Sequence, residues 1–149
     1  MEEYRTERQN QNRGSMRLIV WQKAVNLFEL VWRLAYVELT LDFELRSQSA
    51  AAAPSVSANI AEGYGRRSIK EYSQFLYIAL GSLAQTVTRA VGLLQRKQIG
   101  KRQFEEFDLL HDEVENRLIR LVEKLENKLD DGDWIARLGE EPANYISAS

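Results

Sequence analysis

The sequence predicts an all-α chain folded as an antiparallel up-down-up-down four-helix bundle, and three observations carry that expectation. Apolar residues recur every three to four positions rather than every two. Only two prolines interrupt the 149 residues. The candidate helices are joined by links of about five residues, short enough to force antiparallel neighbours. With 44 % hydrophobic residues one core can form unaided, and the absence of cysteine removes both a disulfide framework and a thiolate zinc site.

The first helix is expected from about Leu18 to Val37. Trp21, Val25, Phe28, Trp32 and Ala35 fall on one stripe, and Leu27, Leu30 and Leu34 widen it. That arc exceeds what one core-facing side needs, so either the helix is central or its outer flank meets another chain. The second helix is expected from about Phe43 to Gly63, with Pro54 bending it or restarting it and Gly63 ending it as a C-terminal cap. Within it Gln48, Ala52, Ser55, Asn59 and Glu62 form a polar seam, beside an apolar stripe of Ala53, Val56, Ile60 and Gly63.

Ser68-Ile-Lys-Glu71 is a capping-box pattern that starts the third helix, whose stripe is Tyr72, Phe75, Ala79, Leu83, Val87, Ala90 or Val91, and Leu94. The fourth helix spans about Arg102 to Leu129, with Phe104, Phe107, Val114, Leu118, Leu121, Leu125 and Leu129 at near-heptad spacing. The domain organisation is thus a flexible arm over residues 1–16, a bundle over 17–129 and a tail over 130–149. In the tail Trp134, Ile135 and Leu138 are spaced for a short amphipathic turn. No leader-like or membrane-spanning run occurs, and a cytoplasmic location is expected.

A net charge of -2 conceals an asymmetry: residues 1–102 hold 15 Lys/Arg against 9 Asp/Glu, and 103–149 hold 5 against 13. Such a division suits an anionic partner or complementary subunits, or else solvated helix faces. Glu62 meets the negative end of its helix dipole, which calls for a cation that Arg66 or Arg67 can supply. Asn59 and Glu62 either tie down the following loop or serve an interface.

Trp21-x-x-Ala24, Gln48, Ser55-x-x-x-Asn59-Ile-Ala-Glu-Gly63, Arg66-Arg67-Ser68 and Glu71-Tyr-x-x-Phe-Leu-x-Ile-Ala-x-Gly-Ser-Leu83 together resemble the four-helix-bundle protein family. Its members include proteins encoded in intervening sequences of bacterial 23S ribosomal RNA genes, once mislabelled as ribosomal proteins. They also include the accessory variability determinant of diversity-generating retroelements. The resemblance covers roughly residues 18 to 125. It implies a homo-oligomer, typically a pentameric barrel, without enzymatic activity or cofactor. In the retroelement branch it implies binding to a reverse transcriptase and to RNA or DNA. Gln48, Ser55, Asn59, Glu62 and Gly63 are the structural or interface residues of that pattern. The sequence departs from it at Ala50 and Ala51, where two basic residues are usual, at Pro54 with Ser57 in the usual proline position, and at Gln85 in place of an acid.

The bundle topology would bring Arg46 near Arg96, Lys97, Lys101 and Arg102 at one end and collect Arg17, Arg66, Arg67 and Lys70 at the other. These clusters lack interleaved exposed aromatics, so nucleic-acid binding there would be driven by phosphates and sensitive to salt. Cations near helix ends also complement helix C-termini.

Catalysis has little to stand on. The sole histidine, His111, falls near the apolar seam of its helix and is expected to be packed rather than catalytic. A di-iron bundle site would need Glu-x-x-His pairs from two helices, and no glycine-rich phosphate loop is present.

Overall fold

The computed structural model describes residues 14–130. Most of the expected arm and the Trp134, Ile135 and Leu138 turn lie outside the described residues. The described chain is all-helical with no strand, and forms a bundle of four rods, the second broken in two. A 3-10 turn, Gly14–Arg17, leads into α1, Ile19–Arg33, which is extended by a π-helical turn, Leu34–Glu38. Then follow α2, Phe43–Ala51; α3, Pro54–Gly65; α4, Ile69–Gln95; and α5, Lys101–Asp130.

Local chemistry accounts for the boundaries. Asp42 caps α2, its carboxylate accepting from the Leu45 amide at 2.8 Å. Ser68 does the same for α4, accepting from the Glu71 amide at 3.4 Å. Pro54 restarts the second rod rather than bending it: it occupies the first turn of α3, where its missing N–H costs no helical bond.

Gly63 does not end the second rod. It is helical and buried, and α3 continues to Gly65. The left-handed residue after the helix is Arg67, at φ 58°. The same device ends α4. Lys97 has φ 61°, its amide donates to the Leu94 carbonyl at 3.0 Å, and the Gln98 amide donates to Leu93 at 2.8 Å, which is a Schellman closure. A lysine thus holds the seat that glycine usually takes.

The core runs the length of the bundle. Leu27, Leu30, Val31 and Leu34 of the first rod meet Val56 and Ile60 of α3, Leu76 and Leu83 of α4, and Val114, Leu118 and Leu121 of α5. The first-rod stripe therefore lies one position away from the expected one. Trp21 and Phe28 are only partly buried and Trp32 is 46 % exposed. Three leucines expected at the margin, Leu27, Leu30 and Leu34, are the ones that fill the core.

Polar contacts pair positions along the rods. Arg33 reaches Glu106 at 3.2 Å and Lys23 reaches Glu113 at 3.6 Å, joining α1 to α5. Arg89 Nη1 donates to the Gln48 carbonyl at 2.5 Å, and the hydroxyls of Ser55 and Ser82 are hydrogen-bonded, joining the second rod to α4. No helix among the described residues is long and apolar enough to cross a membrane.

Candidate nucleic-acid interface

The basic positions separate into two groups with different neighbours. Arg96, Lys97, Lys101 and Arg102 are all exposed on and around the link between α4 and α5. No ion pair joins any of them to another described residue. Arg96 and Lys97 follow the C-terminus of α4, where the helix dipole favours cations. Lys101 and Arg102 begin α5, whose first turn carries no acid. There the dipole disfavours cations by about 0.3–1 kcal/mol each.

The link after the first rod lies at the same end. Leu39 from that link and Ile99 from the α4–α5 link line one small apolar cavity of about 30 Å3. Arg46 is half-buried and lies over the ring of Tyr36, 5.5 Å from its centroid. Tyr36 in turn stacks on Trp32, with centroids 5.2 Å apart and planes 23° off parallel. This corrects the expectation that the basic clusters lack exposed aromatics. The signal was obscured because Trp32 had been assigned to the core stripe.

At the other group, Arg66 is committed. It pairs with Glu62 at 3.0 Å and with Glu71 at 3.8 Å, and lies over the Phe75 ring at 5.1 Å. Glu62 thereby obtains the cation that its position in the dipole requires. Arg67 lies 6.0 Å from the centre of the Tyr64 ring. Burial raises the pKa of the Tyr64 phenol, and the charges of Arg67 and Arg17 oppose that shift. Lys70 is exposed and borders a shallow groove with Ser73, Tyr77 and Leu129.

The polar seam of the second rod is spent mainly on contacts within the chain. Ser82 donates to the Ile78 carbonyl at 3.2 Å, which leaves its oxygen to accept from Ser55. Asn59 Nδ2 donates back to the Ser55 carbonyl at 2.7 Å. Gln48 is exposed, and its carbonyl receives Arg89. Gly63 is a contact point: a Cβ there would lie 2.8 Å from Phe75 Cβ and 2.9 Å from Tyr72 Cδ1.

A family model described as 23S rRNA-intervening sequence protein matches residues 16–120. The chain belongs to that family. No curated protein matches it. In this member of the 23S rRNA-intervening sequence protein family the matched span begins in the 3-10 turn and ends within α5, so it includes both groups of cations and the whole polar seam.

The sole histidine is packed into the core. His111 is buried, and its Nε2 lies 2.8 Å from the Leu83 carbonyl, so that nitrogen carries the proton and donates it. The ring packs on Phe107 at 5.5 Å. No cluster of acidic or histidine side chains suited to a metal ion occurs among the described residues.

Proposed function

We propose that the chain is a non-catalytic, homo-oligomeric scaffold that binds RNA or DNA through phosphate contacts at the end of the bundle carrying Arg96, Lys97, Lys101 and Arg102. One observation carries this reading: four exposed cations without ion-pair partners among the described residues, two of them placed against the dipole of α5. Repetition of the patch by assembly multiplies weak contacts through avidity, which offsets the two cations missing at Ala50 and Ala51.

Assembly is supported by the apolar side chains that a single copy leaves in water, above all Leu109, 77 % exposed in a groove lined also by Glu29, Arg33, Glu106 and Glu113. Within each copy we propose an up-down-up-down order of rods. It is supported by the pairing of Arg33 with Glu106 and Lys23 with Glu113, and of Ser55 with Ser82 and Gln48 with Arg89. The reverse transcriptase implied by the retroelement resemblance is the protein partner that such a scaffold would accept.

Native mass spectrometry with and without an RNA oligonucleotide tests the proposal. The expected result is a closed oligomer, with five copies the leading number, that gains the mass of RNA. A monomer at micromolar concentration overturns the assembly, and an oligomer that never takes up RNA or DNA overturns the binding.

A further inference from the structure

Phe28, Trp32 and Tyr36 follow one another at intervals of four residues, so they form a single row along the first rod with about 6 Å between steps. Trp32 and Tyr36 are exposed and stacked, and the Arg46 guanidinium caps the row over Tyr36. Beside Trp32 an open pocket of about 350 Å3 is bounded by Phe28 and Glu29. A row of flat π surfaces ending in a guanidinium, leading towards the end of the bundle where four exposed cations lie without an ion pair to any described residue, has the chemistry of a single-stranded nucleic-acid track. A base stacks on the face of Trp32 that borders this pocket, with Tyr36 and then Arg46 backing the indole from behind, and the backbone is drawn along the cations.

We infer that the Trp32–Tyr36–Arg46 row is a base-stacking platform for single-stranded nucleic acid, continuous with the basic end. The inference rests on the proposed nucleic-acid binding and sharpens it to a strand type. A duplex keeps its bases stacked on each other and offers this row nothing beyond phosphates, whereas a single strand offers free base faces. The exposed carboxylate of Glu29 repels phosphate from the pocket, so a base edge rather than the backbone is what enters it. Charge decides between occupants. The cations at this end favour a polyanion over a second copy of the chain, whose groove around Leu109 has Glu106 and Glu113 already paired with Arg33 and Lys23.

The experiment compares an oligodeoxythymidylate of about 12 nucleotides with a duplex of the same length. Both are titrated against the full chain and against Trp32→Ala, Trp32→Phe and Tyr36→Ala, with intrinsic tryptophan fluorescence, native mass and circular dichroism recorded. The expected result is quenching by the single strand and a roughly tenfold or greater loss of single-strand affinity in Trp32→Ala and Tyr36→Ala. Trp32→Phe, which keeps a π face, retains single-strand affinity, and duplex affinity is unchanged in all three. Equal single-strand binding by wild type and Trp32→Ala overturns the platform while leaving phosphate binding intact. Dissociation of the oligomer in Trp32→Ala also overturns it, by showing that the row is a subunit contact. Absence of binding by the wild type to either oligonucleotide overturns the underlying nucleic-acid reading itself.

Discussion

Gly63 lies so close to Phe75 that a Cβ on the glycine would come within 2.8 Å of the Phe75 Cβ, with the Tyr72 carbonyl 3.3 Å away. The glycine lets α3 and α4 approach at backbone distance near the turn that joins them. Gly63→Ala is therefore expected to destabilise the fold by about 1–3 kcal/mol, as overpacking of a tight core does. Urea unfolding checks this. Phe75→Ala in the same chain should not recover the loss, because the obstructing Phe75 Cβ remains in alanine.

The paired hydroxyls of Ser55 and Ser82 predict strong coupling between two conservative substitutions. Ser82→Ala leaves the half-buried Ser55 hydroxyl without its acceptor, while Ser55→Ala leaves Ser82 its bond to the Ile78 carbonyl. Each single change should cost about 0.5–1.5 kcal/mol, with Ser82→Ala the larger. A double-mutant cycle should show the pair together costing less than the sum, because the second alanine removes the group that the first one stranded.

Arg67 and Lys97 hold left-handed backbone conformations that glycine adopts without penalty. Lys97→Gly should therefore stabilise the chain by about 1 kcal/mol. Arg67→Gly should gain less, since it also loses the cation near the Tyr64 ring. If the basic end binds phosphates, the more stable Lys97→Gly protein will bind RNA more weakly. Thermal unfolding and a binding titration on the same samples separate the two effects.

Tyr64 makes stability depend on alkaline pH. Burial holds its folded pKa above the ordinary value of 10.0, against the opposing charges of Arg67 and Arg17. A group whose pKa is raised on folding contributes stability that is fully present below its unfolded pKa and lost as pH rises through the folded one. Unfolding midpoints should therefore fall above about pH 10 in wild type and fall less in Tyr64→Phe. Phenolate absorbance should show Tyr64 titrating later still in Arg67→Gln, where one stabilising charge is gone.

Much of the fold was legible because helical periodicity, caps and breakers act locally. Ser68 caps α4 as its pattern implies, Pro54 marks the break in the second rod, and Val56, Ile60 and Gly63 face inward. The first rod was harder to read. Trp21, Phe28 and Trp32 outweigh the leucines in hydrophobicity, so the stripe drawn through them looked like the core, yet the smaller Leu27, Leu30 and Leu34 fit the space between helices. The left-handed caps were missed for a similar reason. Glycines stood nearby at Gly63 and Gly65, and nothing local shows that packing would leave Arg67 in that seat instead.

At the candidate site, the sequence placed cations at helix ends but could not show which were already paired. Arg66 and Lys97 are equally basic on paper. The sequence offers Arg66 or Arg67 to Glu62; the fold assigns Arg66 and adds Glu71 to its partners, while Lys97 faces water. The aromatic row beside Arg46 depends on the π-helical turn that brings Tyr36 under the guanidinium, a register that periodicity at 3.6 residues does not convey.

The most direct test of the central claim is the salt dependence of RNA binding, measured for wild type and for a variant with Arg96, Lys97, Lys101 and Arg102 all changed to alanine. Phosphate binding predicts affinity falling linearly on logarithmic axes, by a slope of about 0.7 per phosphate neutralised on a single strand. The variant should bind far more weakly and with a visibly shallower slope. An unchanged slope in the variant, or no binding by the wild type at about 50 mM salt, would contradict the claim.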